Sequence, residues 1–284
     1  QKTAYEISTR DWSSDVCSSD LTIKYIYFAL NADNKGEGGI FALFALLKER
    51  NVKWVIIPAL IGCATLLADG FITPAISISS AVEGINNINP NVPVIPIVVG
   101  IIVALFIIQQ FGTVVIGKAF GPIMLIWFSY LAYLGAINIV KNPSVLAAFN
   151  PLEALNFVTK VPGGFAALGA VFLCTTGAEA LYSDLGHCGK GNIRISWTLI
   201  ASVLVFHYLG QAALCTSEGF VLANKATVFY SMVPKNQLIF AVIIATTAAI
   251  IASQALITGV FTLMNEAIKL KLWTNLKVKF PSDH

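Results

Sequence analysis

Acidic side chains stand in two of the most apolar stretches of this chain. Asp69 and Glu83 lie in the first stretch, and Glu179 lies in the second. A charged side chain at bilayer depth costs about 2.5–3.5 kcal/mol or more, so an acid retained there is a candidate for binding an ion or a proton. A low dielectric also raises the proton affinity of a carboxylate, which would let it carry a proton.

The first stretch places its polar residues on one side of a helix. At about 100° per residue, four side chains fall within one narrow stripe: Asp69, Thr73, Ser80 and Glu83. Such a stripe must face protein or a wet cavity rather than lipid. Asp69 and Glu83 are separated by about 21 Å along an unbroken helix, so they cannot ligate the same ion. Pro74 removes one backbone hydrogen bond and frees a carbonyl close to Asp69.

The second stretch combines hydroxyl groups with its acid. Thr175 and Thr176 precede Glu179 by one turn, and Tyr182 follows it by one turn. Gly177 marks a position where the helix could open, and discontinuous helices near the midplane form the ion sites of many secondary transporters. Threonine hydroxyls, freed carbonyls and one carboxylate would form an oxygen shell suited to an alkali cation. The alternative is a plain helix in which Gly177 serves packing and Glu179 is paired in a salt bridge.

The elements that position these residues are predicted to be membrane spans. The chain has 284 residues, of which 56% are hydrophobic and 12% are charged, whereas about 25% are charged in an average soluble domain. A span needs about 20 mostly apolar residues. By that measure six full spans cover about residues 56–83, 92–111, 120–140, 164–184, 194–216 and 237–264, with a partial span at about 21–30. We therefore predict an all-α polytopic membrane protein with residues 21–284 as its transmembrane domain.

Residues 1–20 do not share this pattern. They are polar and aperiodic, and they have no apolar core of the kind that a signal peptide carries. The segment resembles a translated adapter sequence. We interpret it as a non-native or disordered leader, an artefact that takes no part in the fold.

Basic residues predict the orientation of the spans. Lys and Arg concentrate in the 31–55 loop, the 184–195 loop and the C-terminal tail, and loops of this kind face the cytoplasm. We therefore expect a multi-pass protein of the cell membrane, most simply a bacterial plasma membrane, with a cytoplasmic C-terminal tail.

The 31–55 loop begins with a glycine-rich acidic motif, whose residues of interest are Asp33, Gly36, Glu37, Gly38 and Gly39. The spacing predicts a tight, hinged loop. A phosphate cradle is excluded because the motif lacks the required Gly-Lys-Ser/Thr ending.

Two further polar groups lie in later spans. Thr247, Gln254 and Thr258 fall within about 20° of one line on their helix, which is equally consistent with a cavity wall and with interhelical hydrogen bonds. His207 and Gln211 are one turn apart, and we interpret this histidine as a packed side chain.

Several long motifs follow one another in a fixed order. They include ADNKGEGGIFAL at 32–43, ADGFITPAIS at 68–77 and TGAEALYSDLGH at 176–187, with shorter motifs at 81–84, 110–113, 117–124, 210–211 and 251–255. In these motifs the chain resembles the Kup/HAK/KT family of potassium-uptake permeases. The resemblance covers nearly all of the sequence after the leader.

The resemblance implies a partial inverted-repeat permease fold, similar to the amino-acid/polyamine/organocation superfamily, from the end of helix two to helix eight. It also implies potassium uptake, coupled to protons by symport and achieved by alternating access. The family's acids carry over to Asp69, Glu83 and Glu179. Potassium is expected at Glu179, Thr176 and Asp69. The family's first-helix Gly-Asp-x-Gly-Thr-Ser-Pro-Leu-Tyr motif is not found in this sequence, so we do not expect this polypeptide alone to transport.

An amino-acid or polyamine permease of the same fold is the alternative function. The acidic, hydroxyl-lined site favours an inorganic cation over a substrate that carries its own carboxylate. An enzyme is not expected, because Asp184 and His187 have no partner nucleophile. The expected partners are potassium, protons and the lipid bilayer, with a homodimer left open. No nucleic acid and no cofactor are expected.

Overall fold

A computed structural model describes residues 21–34, 36–49, 53–109, 114–173, 182, 185–217, 220, 227–270, 272 and 274. The helices of the described residues are α1 (Leu21–Phe28, of π type), α2 (Ile40–Glu49), α3 (Ile56–Val82), α4 (Val94–Gln109), α5 (Val114–Lys141), α6 (Pro151–Lys160), α7 (Gly164–Leu173), α8 (Leu185–Cys188), α9 (Lys190–Cys215), α10 (Val228–Met232) and α11 (Leu238–Lys269). Short 3-10 segments lie at Ala29–Asn31, Lys53–Val55, Glu83–Asn87, Pro143–Phe149 and Lys235–Gln237.

Four segments of the described chain are long and apolar enough to cross a membrane. They are Ile56–Asn87, Ala119–Lys141, Lys190–Cys215 and Lys235–Lys269. They coincide with four of the six predicted full spans, so the prediction of an all-α polytopic membrane protein is confirmed.

The other two predicted full spans are described only in part. Helix α4 is described over the 16 residues Val94–Gln109, and residues 110–113 lie outside the described residues. It begins directly after Pro93, which lacks the N–H of an ordinary helical residue. The span predicted at 164–184 is present as α7 up to Leu173, and residues 174–181 lie outside the described residues.

The chain divides into two compact units. The first unit comprises Gln1–Asn31 and Phe128–Pro234, and the second comprises Ala32–Trp127 and Lys235–His284. The boundary at residues 127 and 128 falls within α5, so this helix contributes to both units.

In the second unit, α3 and α11 pack against each other in antiparallel directions. Cys63 shares a buried cluster with Ala267, and Gly70 lies against Val260. The residue number on α11 falls by seven as the number on α3 rises by seven. This heptad spacing is that of helices whose contacts recur every two turns.

Gly70 marks a close approach between α3 and α11. A Cβ atom added there would lie 2.2 Å from Val260 Cγ2. The backbones can come this close only because the glycine has no side chain. On the side of α3 away from this contact, Phe71 and Ile76 expose 68% and 62% of their surface, which suits contact with lipid.

Helix α4 packs on the same pair of helices. Buried side chains of α3 and α4 form one apolar cluster with partly buried residues of α11, namely Ile78, Val82, Val98 and Leu105 with Ala249 and Ile250. Three helices therefore surround the apolar interior of the second unit.

In the first unit, α5 and α9 cross each other at two glycines. A Cβ atom on Gly210 would lie 2.5 Å from Gly135 Cα, and one on Gly135 would lie 2.4 Å from the Phe206 carbonyl oxygen. Near the end of α5, Asn142 Nδ2 donates to the Ala213 carbonyl at 3.2 Å and to Thr216 Oγ1 at 2.7 Å. The crossing is thus both close and tied by hydrogen bonds.

The acidic glycine-rich motif forms a tight turn, as its spacing predicts. Gly36 has φ of +90°, which favours glycine, and its N–H donates to Asp33 Oδ2 at 2.9 Å. Asn34 and Glu37 exchange two backbone hydrogen bonds of 2.9 and 3.0 Å. A hinge movement of this loop stays a prediction.

Candidate functional site

Asp69 is the middle residue of the 27-residue helix α3. Thr73 Oγ1 donates to Asp69 Oδ1 at 2.5 Å. The other carboxylate oxygen, Oδ2, is buried and has no hydrogen-bond partner in the part of the chain that the structure describes. One oxygen of this acid is therefore held in place while the other keeps its lone pairs for a cation or a proton.

Pro74 lies inside α3 without ending the helix. Because proline has no N–H, the Gly70 carbonyl cannot accept the usual helical bond from residue 74. This carbonyl belongs to the residue next to Asp69. The structure thus places a backbone oxygen without its helical donor beside the acid, in the helix that the stripe predicts.

Glu83 follows the last residue of α3 and opens a 3-10 segment. Its side chain is exposed, and so is that of Ser80. Asp69 and Thr73 are partly buried on the same helix. The predicted stripe therefore runs from an exposed acid at the end of the helix to a partly buried acid at its middle.

Of the second predicted group, which combines hydroxyl residues with Glu179, the structure describes only Tyr182. This side chain is 5% exposed and lies in a buried cluster of the first unit with Leu185 and Trp197. Trp197 Nε1 in turn donates to Thr22 Oγ1 of α1 at 2.9 Å. Thr175, Thr176 and Glu179 lie outside the described residues, so their placement around an ion stays a prediction.

A polar cluster links α4 to α11. Gln254 Nε2 donates to Gln109 Oε1, Gln109 Nε2 donates to Thr258 Oγ1 at 3.3 Å, and Thr258 Oγ1 donates to the Gln254 carbonyl at 2.9 Å. Interhelical hydrogen bonding is therefore confirmed for Gln254 and Thr258 of the α11 polar line, whereas Thr247 donates to the Ile243 carbonyl of its own helix. The sequence reasoning missed Gln109, for which the available signal was a lone amide at the end of an otherwise apolar helix.

His207 is a packed residue, as predicted. It is 5% exposed, its Nε2 lies 2.8 Å from Gln211 Nε2, and its ring meets the Phe229 ring edge-on at 5.7 Å between centroids. One ring nitrogen and one apolar edge are therefore occupied by neighbours in the first unit.

An apolar cavity of about 280 Å³ lies between α2, α3 and α11. It is lined by Phe41, Leu60, Cys63, Ala64, Leu67, Ala267 and Leu272. With this lining it offers an ion no charged or amide ligand, so we do not include it in the candidate site.

Comparison with known proteins gives the family. Residues 19–284 match the family model described as the K+ potassium transporter integral membrane domain. The chain belongs to this potassium transporter family. A probable potassium transport system protein Kup of Flavobacterium psychrophilum is 54% identical over 267 residues, covering 92% of this chain and 41% of that protein.

Relatives of somewhat lower identity come from two other bacteria. The putative potassium transport system protein Kup 1 of Lactococcus lactis is 48% identical over 272 residues, and a probable Kup protein of Enterococcus faecalis is 48% identical over 277 residues. The chain spans about two fifths of the length of these relatives. No solved structure matches the chain. The relatives are named as transport proteins rather than enzymes, in line with the expected function.

Proposed function

We propose that this chain forms part of a potassium-uptake permease that couples potassium to protons and works by alternating access. Membership of the potassium transporter family supports the cargo. The single structural observation that carries the proposal is the Asp69 carboxylate, half satisfied by Thr73 and half without a partner among the described residues, at the middle of a membrane-spanning helix.

In this mechanism potassium enters past the exposed Glu83, loses water and binds near Thr176, Glu179 and Tyr182, with help from Asp69. Thr73 and Thr175 are the further hydroxyl groups of the proposed potassium and proton site. In symport the two ions are carried together, so one carboxylate of the set would hold the proton while another faces potassium.

Binding of potassium by the purified chain in lipid nanodiscs tests this proposal. Potassium is expected to raise the unfolding temperature more than sodium or choline at equal ionic strength, since a ligand that binds only the folded state stabilises it. Asp69→Asn should remove most of that rise. Symport predicts proton uptake on adding potassium, because two ions carried together favour each other's binding. This uptake, followed with a pH-sensitive dye in weak buffer, should fall in the same variant.

Thr65→Val is the matched control on α3. The Thr65 hydroxyl is exposed and donates to the Ile61 and Gly62 carbonyls at 3.0 and 2.9 Å, so its loss should leave the potassium response unchanged. An equal response to potassium, sodium and choline would contradict the proposal. Stabilisation by amino acids that competes with potassium would instead favour the amino-acid permease.

A further inference from the structure

Two buried oxygens at the middle of α11 take no part in the candidate site around Asp69. Ser253 and Gln254 are the two central residues of this 32-residue helix, and they are only 2% and 4% exposed. Ser253 Oγ and Gln254 Oε1 have no hydrogen-bond partner within the described residues. An unmade hydrogen bond on a buried polar group costs about 1–3 kcal/mol, so a bound ion or water is the expected explanation.

Ser253 differs from three threonines of the same helix. Thr247, Thr258 and Thr262 each donate to the carbonyl four residues earlier, at 2.8, 2.9 and 3.2 Å. Those bonds satisfy the threonine hydroxyls within the helix itself. The Ser253 hydroxyl makes no such bond, although the same helical geometry is available to it.

The Gln254 amide is held in one orientation. Its Nε2 donates to Gln109 Oε1, and Gln109 Nε2 donates to Thr258 Oγ1. Rotating the Gln254 amide by half a turn would bring two carbonyl oxygens together, so the atom left without a donor is Oε1. The two unsatisfied groups on adjacent residues are therefore both oxygens that can accept.

The heptad register gives the depth of these oxygens. Val260 lies against Gly70, and one heptad further along the same spacing predicts that Ser253 lies opposite Ser77. Ser77 lies about 12 Å beyond Asp69 along α3 and about 9 Å short of Glu83. The two oxygens are thus at a level between the two acids and separate from the Asp69 carboxylate.

Uncharged oxygens of this kind suit potassium. Rings of neutral carbonyl oxygens replace the hydration shell of potassium in selective channels, and passage requires binding weak enough to allow release. A cation also satisfies the lone pairs of the two acceptor oxygens, and unlike a water molecule it brings no lone pairs that need donors of their own. We propose that Ser253 Oγ and Gln254 Oε1 form a second, uncharged coordination site for potassium between Glu83 and Asp69. This proposal rests on the proposed function.

Potassium titration of the purified chain in nanodiscs tests the second site. The measured quantity is the potassium concentration that gives half of the maximal rise in unfolding temperature, at ionic strength held constant with choline. Ser253→Ala and Gln254→Leu should each raise it by about tenfold, equivalent to about 1.4 kcal/mol. Thr262→Val, whose exposed hydroxyl bonds only within its helix, should leave it unchanged.

A sulfur substitution gives a second measurement that does not depend on Gln254→Leu folding. Soft sulfur ligands favour softer cations, so Ser253→Cys should raise the thallium(I) response relative to the potassium response. If Asp69→Asn weakens the potassium response while all three Ser253 and Gln254 variants behave like the original chain, the second site is refuted and the proposed function stands. If the original chain does not distinguish potassium from sodium and choline, both are refuted.

Discussion

The close approach of α3 and α11 at Gly70 makes a quantitative prediction. In Gly70→Ala the new Cβ would lie 2.2 Å from Val260 Cγ2, whereas carbon atoms in good contact are about 3.5–4.0 Å apart. The helices must separate by more than about 1 Å, because valine is stiff at χ1 and cannot turn the methyl away freely. Overpacking of this kind costs about 1–3 kcal/mol.

Two opposing effects set the net change in the free energy of unfolding of Gly70→Ala. Alanine is favoured over glycine inside a helix by about 0.5–1 kcal/mol, so we expect Gly70→Ala to lower the free energy of unfolding by about 1–2 kcal/mol. Gly100→Ala on α4 is the matched control, because nothing lies within 4 Å of a Cβ placed there. That variant should be neutral or more stable than the original chain.

A double-mutant cycle isolates the contact. Val260→Ala removes both Cγ atoms and leaves Val260 Cβ at 3.4 Å from the new methyl group, an ordinary contact. Gly70→Ala combined with Val260→Ala should therefore show a favourable coupling of about 1–2 kcal/mol. The assay is unfolding in mixed dodecyl sulfate and maltoside micelles, followed by tryptophan fluorescence. Equal stability of Gly70→Ala and Gly100→Ala, or additive single effects, would refute the predicted packing.

Two further predictions concern the first unit. Asn142→Leu should lower the free energy of unfolding by about 1–3 kcal/mol, because two hydrogen bonds of Asn142 Nδ2 are lost, each worth about 0.5–1.5 kcal/mol. Thermal unfolding checks this, and Thr216→Val should cost less since Asn142 keeps its bond to the Ala213 carbonyl. Burial raises the pKa of Tyr230, which lies in α10 outside the four spans, so the neutral phenol favours the folded state. This contribution to stability is fully present below about pH 10 and is lost as the pH rises further. Tyr230→Phe should remove this pH dependence when the free energy of unfolding is measured from about pH 8 to 12. Identical pH profiles of the variant and the original chain would contradict the prediction.

The sequence was sufficient for the features that depend on one helix alone. Hydropathy predicted the four spans that the structure describes in full, and a period of 3.6 residues placed Asp69 and Thr73 on one face, where the structure joins them by a hydrogen bond. These features follow from the composition and spacing of a single segment.

Features that depend on a pair of helices could not be predicted. The Gln109 contact to Gln254 and the Gly70 contact to Val260 join residues more than a hundred positions apart. A single sequence shows which face of a helix is polar or small, but not which helix will cover that face. For the same reason Gln254 was open to two readings, and the structure decided between them by placing α4 beside α11.

The heptad spacing of the α3 and α11 contacts has a consequence for the two acids of α3. Contacts that repeat every seven residues wind a pair of helices into a left-handed supercoil with 3.5 residues per turn. In a straight helix Glu83 would be rotated by about 40° from Asp69, but two whole heptads of a supercoil bring it back onto the same line. Both carboxylates then lie on one line about 21 Å long, and Ile76 lies on the same line, one heptad from each acid. Ile76 is exposed and apolar, so a cation that passes from Glu83 to Asp69 along this line must cross a position that offers it no side-chain oxygen.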